Sequence, residues 1–209
     1  TNTNWFDYIL RTGTYQDVNV AFKKGFEKGD VYSSVGYRND KSVSVGNEME
    51  RLSARINADY QPIENLDWGT RLSFSYTNNY RVKSQSHRFL GSSDGTIGGF
   101  GVVTRNGVPW LPVYDESDPT GYWNPGAGNY AMAGNRKYIL DQKQNFREMG
   151  GSSLEYHLPW VKGLSARIGA DFDVIQDNSN LWNSALISND DVSYNRTNST
   201  TYISYNYNA

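Results

Sequence analysis

The sequence predicts an all-β chain: an antiparallel, transmembrane β-barrel segment of about seven strands, with hydrocarbon against one face and water against the other. Three observations predict it. Apolar and polar residues alternate with period two, connections alternate between short and long, and aliphatic residues are too few for a sealed core.

The alternation is clearest in three runs. Leu52, Ala54, Ile56, Ala58 and Tyr60 share one face, with Arg51, Ser53, Arg55, Asn57 and Asp59 on the other. Trp68, Thr70, Leu72, Phe74 and Tyr76 oppose Gly69, Arg71, Ser73, Ser75 and Thr77. Leu164, Ala166, Ile168, Ala170, Phe172 and Val174 oppose Ser165, Arg167, Gly169, Asp171 and Asp173. Weaker runs are Val18–Phe22, Val31–Tyr37, Leu154–Leu158 and Ile203–Tyr207. Strand side chains point alternately to opposite faces, so each run has one apolar and one polar side.

The connections Lys23–Asp30, Gln61–Asp67 and Pro159–Gly163 are short; Asn39–Glu50, Arg81 to roughly Asp141, and Asn178 to about Asp191 are longer. Short turns at one end and long loops at the other are the outer-membrane barrel pattern, with the short turns periplasmic. Tyr60, Trp68 and Trp160 fall near short turns, and Tyr37, Tyr76 and Tyr80 toward the long loops. Amphipathic rings suit the headgroup level at both interfaces. The alternative is cross-strand aromatic packing in a soluble sheet.

Composition excludes other classes. Of 209 residues only 37% are hydrophobic, yet 14% are aromatic, which argues against disorder. Mean hydropathy is −0.69, and no apolar run reaches the ~18 residues of a membrane helix. Cys is absent, which removes disulfides and thiolate metal sites. A net charge of −2 leaves no basic stripe for nucleic acid. Thr1 opens no signal peptide, so such a leader is expected to have been removed or the chain to be an internal piece. The charges Arg55, Asp59, Arg71, Arg167 and Asp171 fall on the polar faces, where a hydrated lumen keeps them solvated or paired.

No catalytic, cofactor or metal site is read from the sequence. His87 and His157 lack ligand-spaced partners. Asp115, Glu116 and Asp118 lack EF-hand spacing and suit a solvated turn before Pro119. Gly95, Gly98, Gly99 and Gly101 lack the strand-to-helix setting of a phosphate cradle, and the sequons at Asn195 and Asn198 read as chance matches. The loop over 81–140 carries Trp110, Tyr114, Tyr122, Trp123 and Tyr130 among Asn, Gly and Pro. Two readings fit. The rings contact substrate, stacking on sugars, or they pack the loop into a small core or against a lid; the second is favoured because a long loop must first satisfy its own burial.

Several ordered motifs carry a resemblance. Asn2-Thr3-Asn4-Trp5, Arg11-Thr12-Gly13-Thr14 and Asn19-Val20-Ala21-Phe22 are similar to the barrel start of SusC-like (SusC/RagA) TonB-dependent transporters. Val31–Tyr37 resembles that family's YYASLGY strand, Arg51–Tyr60 its RYSARLNLD strand, Pro109–Asp115 its P-x-x-P-x-Y-D loop element, and Lys162–Arg167 a later strand start. Lys24-Gly25 departs from the usual Gly-Gly, and Asn39–Asn47 matches poorly.

The resemblance implies that residues 1–209 are part of a receptor barrel of about 22 strands, without its plug, beginning inside the first external loop and ending partway along a strand. It implies a TonB-energised outer-membrane importer of oligosaccharides or peptides in a Gram-negative, Bacteroidetes-type cell. Expected partners are a SusD-like surface lipoprotein, TonB through the plug region, the glycan or peptide substrate, and outer-membrane lipid. No cofactor and no enzymatic activity are expected. The competing class is a small non-transporting outer-membrane barrel or a soluble β-sandwich that binds carbohydrate; an odd strand count argues against closure into a small barrel.

Overall fold

The computed structural model describes residues 2–82, 108–123, 129–132, 134–187 and 194–208. A short helix α1 (Phe6–Ile9) precedes seven strands: β1 (Thr14–Phe26), β2 (Gly29–Lys41), β3 (Glu48–Ile63), β4 (Leu66–Tyr80), β5 (Ile139–His157), β6 (Ser165–Asn183) and β7 (Tyr194–Asn208). Each strand pairs antiparallel with its sequence neighbour, in the order β1 to β7, as one open sheet. No pairing joins β1 to β7, so these strands do not close a small barrel among the described residues.

The hairpins are tighter than the sequence suggests. Only residues 27–28 separate β1 from β2, and 64–65 separate β3 from β4. Lys23 and Lys24 are strand residues; the Lys24 ammonium lies 5.2 Å from the Phe26 ring centroid, keeping its charge toward the sheet's end. Register slips between Tyr60 and Ile63, where Pro62 has no amide hydrogen to give the ladder. The third turn, 158–164, closes with Gly163 at φ +83°, a left-handed conformation that favours glycine. The connections 42–47, 81–138 and 184–193 leave and rejoin the strands at the opposite end, so the asymmetry of connection lengths is present.

β5 is much longer than the expected Leu154–Leu158 run, which overshoots it by one residue; β7 likewise begins well before Ile203. The added lengths, such as Asp141–Asn145 and Asn195–Thr200, are polar on both faces, so they carry no period-two contrast.

Register sorts the side chains. One row runs Ile56, Leu72, Gly150, Phe172, Tyr205 across β3 to β7. The adjacent row, on the opposite face, runs Asn57, Arg71, Gly151, Asp171, Asn206. The apolar row has no second layer over it: Ile56 is 43% exposed, and Ile168 on the same face is 62% exposed. A soluble sandwich would bury these residues between two sheets. Gly150 leaves room for the neighbouring side chains, since a Cβ there would stand 2.6 Å from both Leu72 Cδ2 and Phe172 Cε1.

Buried apolar residues of the described chain lie at the long-loop end instead. One cluster is Trp5, Ile9 and Val113; the other is Met132, Tyr138 and Ile139, with Tyr122 packed against both.

Candidate functional site

Two regions hold the residues singled out in the sequence: a cap at the long-loop end, and the polar face of the wall.

The cap is built from three separate segments. Thr3 N–H donates to Pro109 O at 2.7 Å, and the Trp5 indole donates to Val108 O at 2.9 Å. Val45 N–H donates to Ile9 O, and Arg11 N–H to Val43 O. The segment before β1 is thereby tied both to the long loop and to the β2–β3 connection. Within the long loop, Asp115 accepts bonds from the amide and hydroxyl of Ser117, and Asp118 from those of Thr120. The second of these Asx turns has Pro119 at its centre. The Ser117 hydroxyl, then its amide, hold the Asp115 carboxyl below the usual carboxylate range. Asn129, buried, donates to Val113 O and Trp123 O.

Four tyrosines run through the cap. Tyr8 meets Tyr114 edge-on at 6.1 Å, Tyr114 meets Tyr122 at 5.6 Å, and Tyr122 meets Tyr138 edge-on at 6.4 Å. The series goes from exposed Tyr8 and Tyr114 to buried Tyr138. The expected loop aromatics therefore divide. Tyr122 packs against both clusters, and Trp123 is half-buried. Trp110 and Tyr114 remain 67% and 61% exposed. Tyr130 lies in a short 3-10 turn, Tyr130–Met132, and its side chain is outside the described residues.

One carboxylate of β3 holds two segments of the cap at once. Glu48, four residues beyond the apolar run of β3 that begins at Leu52, accepts from Arg11 at 3.1 Å and from Arg136. The bond from Arg136, then that from Arg11, lower the Glu48 pKa against the opposing effect of burial. The Arg136 guanidinium also lies 3.7 Å from the Tyr80 ring centroid. At the base of the long loop, Arg81 pairs with the buried Asp141 at 2.9 Å.

On the polar face the five expected residues lie together. Asp59, Arg71, Arg167 and Asp171 line one groove of about 580 Å³, floored by Gly69, Gly151 and Gly169. Arg55, Arg71 and Asp171 line an adjoining one of about 500 Å³. Asp59 and Arg71 form a two-toothed pair at 2.6 and 2.7 Å, and Arg147 and Asp173 another at 2.7 and 3.0 Å. Arg167 donates to Ser153 Oγ.

His157 ends β5 at the short-turn end, 2.8 Å from Asp67. His87 and the glycines at 95, 98, 99 and 101 lie outside the described residues, while both sequons lie within β7. Among the described residues no cluster of three metal-binding side chains exists. Sequence reasoning missed Trp5, Tyr8, Asn129 and Tyr138 as cap residues, and the Arg11–Glu48–Arg136 triad. The first two had a signal, since aromatics in a segment before the first strand need something to pack on; the triad had none, because its members are separated by loops.

No family model matches the chain. It is 24% identical over 182 residues to TonB-dependent receptor P26 of Formosa agariphila, covering 85% of this chain and 17% of that protein. It is 28% identical over 126 residues to TonB-dependent receptor SusC of Bacteroides thetaiotaomicron, covering 58% of this chain and 11% of that protein. The fold matches a solved structure of the RagAB peptide transporter with a TM-score of 0.75, at 18% identity, over 99% of this chain and 23% of that one. A RagAB structure in the open-open state matches with a TM-score of 0.71, at 18% identity, over 97% of this chain and 22% of that one. The chain thus spans less than a quarter of the length of these relatives and neighbours. Sequence relatives and fold agree with a one-layer wall whose two faces differ in chemistry: this chain is similar in sequence to SusC-like TonB-dependent receptors and has the fold of a stretch of their β-barrel.

Proposed function

We propose that residues 1–209 form part of an outer-membrane TonB-dependent active importer of oligosaccharides or peptides. The strands supply barrel wall, and the cap, with the 81–140 loop as an extracellular element, supplies part of the outer vestibule. The observation that carries this is the uncovered apolar face of a single sheet opposite a charged, grooved face. Such a sheet is stable where hydrocarbon covers one side and water the other. The likeness to SusC and to the RagAB peptide transporter supports the transport role.

A SusD-like lipoprotein would seat over the vestibule, and TonB would act through a plug region outside this chain. Exposed Trp110 and Tyr114 are the cap residues best placed to meet substrate or that lid. Tyr122 and Trp123 hold the cap's shape. Arg55, Asp59, Arg71, Arg167 and Asp171 face the lumen.

The test is genetic and biochemical. Cells with the full-length gene deleted are grown on panels of oligosaccharides and of peptides as sole carbon source, alongside a TonB deletion. Loss of growth on one class, shared by both deletions and restored by the gene, is the expected result. Growth equal to wild type on every member, with no capture of the TonB C-terminal domain by the purified full-length protein, would overturn it.

A further inference from the structure

The polar face treats its arginines in two ways. Arg71 and Arg147 are neutralised by two-toothed bonds to Asp59 and Asp173. Arg38 has Asp40 at 3.4 Å and Asp17 opposite it in the β1 register. Among the described residues Arg51, Arg55 and Arg167 have no such carboxylate, and Arg167 donates to the neutral Ser153 hydroxyl. Arg51 donates only from Nε to the neutral Thr77 hydroxyl, at 3.2 Å, and Arg55 has no hydrogen-bond or ion-pair partner among the described residues. Arg51 also stands directly opposite Arg38 in the β2–β3 register, an arrangement of like charges that destabilises a sheet unless an anion joins it. Arg38 Nε, shielded from water, has no partner either.

Arg51 and Arg55 are on one face of β3, four residues and about 13 Å apart along the strand. Around them the polar face of β2 to β4 carries Ser34, Gly36, Ser53, Ser73 and Ser75. That floor offers hydroxyls and open space beside the two arginines; farther round the groove that Arg55 lines stand Met149, Asp171 and Asp173, the last held by Arg147. The sites therefore suit an exchangeable, hydrated anion. Guanidinium groups bind carboxylates with planar paired hydrogen bonds.

We propose that Arg51 and Arg55 bind carboxylate groups of the solute that moves along this wall, so that the imported molecule is of an acidic class. This rests on the importer reading above.

The full-length transporter, in lipid nanodiscs, is titrated with two matched pairs of probes: hexaglutamate against hexaglutamine, and oligogalacturonate against maltohexaose. The first pair reports a peptide source of the carboxylates and the second a glycan source. The wild type should bind one acidic probe about tenfold or more tighter than its neutral counterpart. Roughly 0.5 M NaCl should bring the two toward parity, since exposed charges are screened over a few ångströms at such strength. In R51Q/R55Q the acidic probe should weaken about tenfold while the neutral one is unchanged.

Equal binding of both members of each pair, absence of binding by both acidic probes, or an R51Q/R55Q variant that binds as wild type does would overturn the proposal. So would a variant that loses thermal stability with unchanged binding, because the arginines would then serve the protein's own acidic groups. The same preparations are assayed for capture of the TonB C-terminal domain. Failure of capture removes the importer reading; capture without acidic preference removes only the present one.

Discussion

Glu48 is a single point whose loss should loosen the cap and leave the wall intact. Its two oxygens accept from Arg11, in the segment before β1, and from Arg136, at the end of the long loop. The carboxylate is 23% exposed, and its partners 29% and 42%. A hydrogen bond to a charged group contributes about 1.5–3 kcal/mol, and exposed ion pairs about 0.2–1 kcal/mol. These groups lie between the two cases, so Glu48→Gln should cost the cap about 1–3 kcal/mol, or roughly 5- to 150-fold in its opening equilibrium.

Hydrogen exchange followed by mass spectrometry on the full-length protein reads this directly. Peptides covering 2–13, 108–123 and 134–138 should exchange faster by that factor, and 52–60 should be unchanged. Unaltered exchange in the three cap segments would refute the reasoning, as would equal acceleration across β3. The same carboxylate gives a pH dependence of defined sign. Its folded pKa lies below the unfolded value of about 4.3, so its contribution is complete above that value and fades as pH falls through the folded pKa. Cap exchange, corrected for the intrinsic rate, should accelerate in wild type below about pH 4 and show little further acid sensitivity in E48Q.

Three further outcomes follow from the packing. Gly150→Val places side-chain atoms against Leu72 and Phe172; it should cost about 1–3 kcal/mol of stability, read as a lower thermal midpoint of the full-length protein, and Leu72→Ala in the same chain should recover part of that. Arg71→Ala breaks a pair whose members are about half exposed, so the change should stay under about 1 kcal/mol by urea-induced unfolding in lipid vesicles. Arg81→Ala strips its salt-bridge partner from the nearly buried Asp141 carboxylate; the same assay should show a larger loss, about 2–4 kcal/mol, and a loss equal to that of R71A would contradict the burial argument.

The wall was legible in the sequence where the two faces of the sheet differ in polarity. Around Ile56, Leu72 and Ile168 each step alternates between an uncovered apolar face and a charged, grooved face, and the residues record it. Beyond that band the record stops. Asp141–Asn145 and Asn195–Thr200 sit in paired strands with polar side chains on both faces, so backbone pairing, which leaves no compositional trace, decides their structure. The polar-face residues were found because charges opposite an apolar run need water. Their pairing was not, because whether Arg71 meets Asp59 or Arg55 meets nothing depends on cross-strand register.

The cap shows the other limit. Tyr122 and Trp110 have similar sequence surroundings, and only the tertiary placement of Trp5, Ile9 and Tyr138 makes one a packing residue and leaves the other exposed.

The central claim is that adjacent residues of one strand face different solvents. Spin labels placed singly at Ile56, Asn57, Ile168 and Arg167 of the full-length protein in lipid bilayers test it by collisional relaxation. The account predicts that labels at 56 and 168 relax with oxygen and not with a water-soluble nickel chelate, and that labels at 57 and 167 do the reverse. Labels at 56 and 168 that are shielded from both relaxants would place those residues in a sealed protein interior and contradict the account.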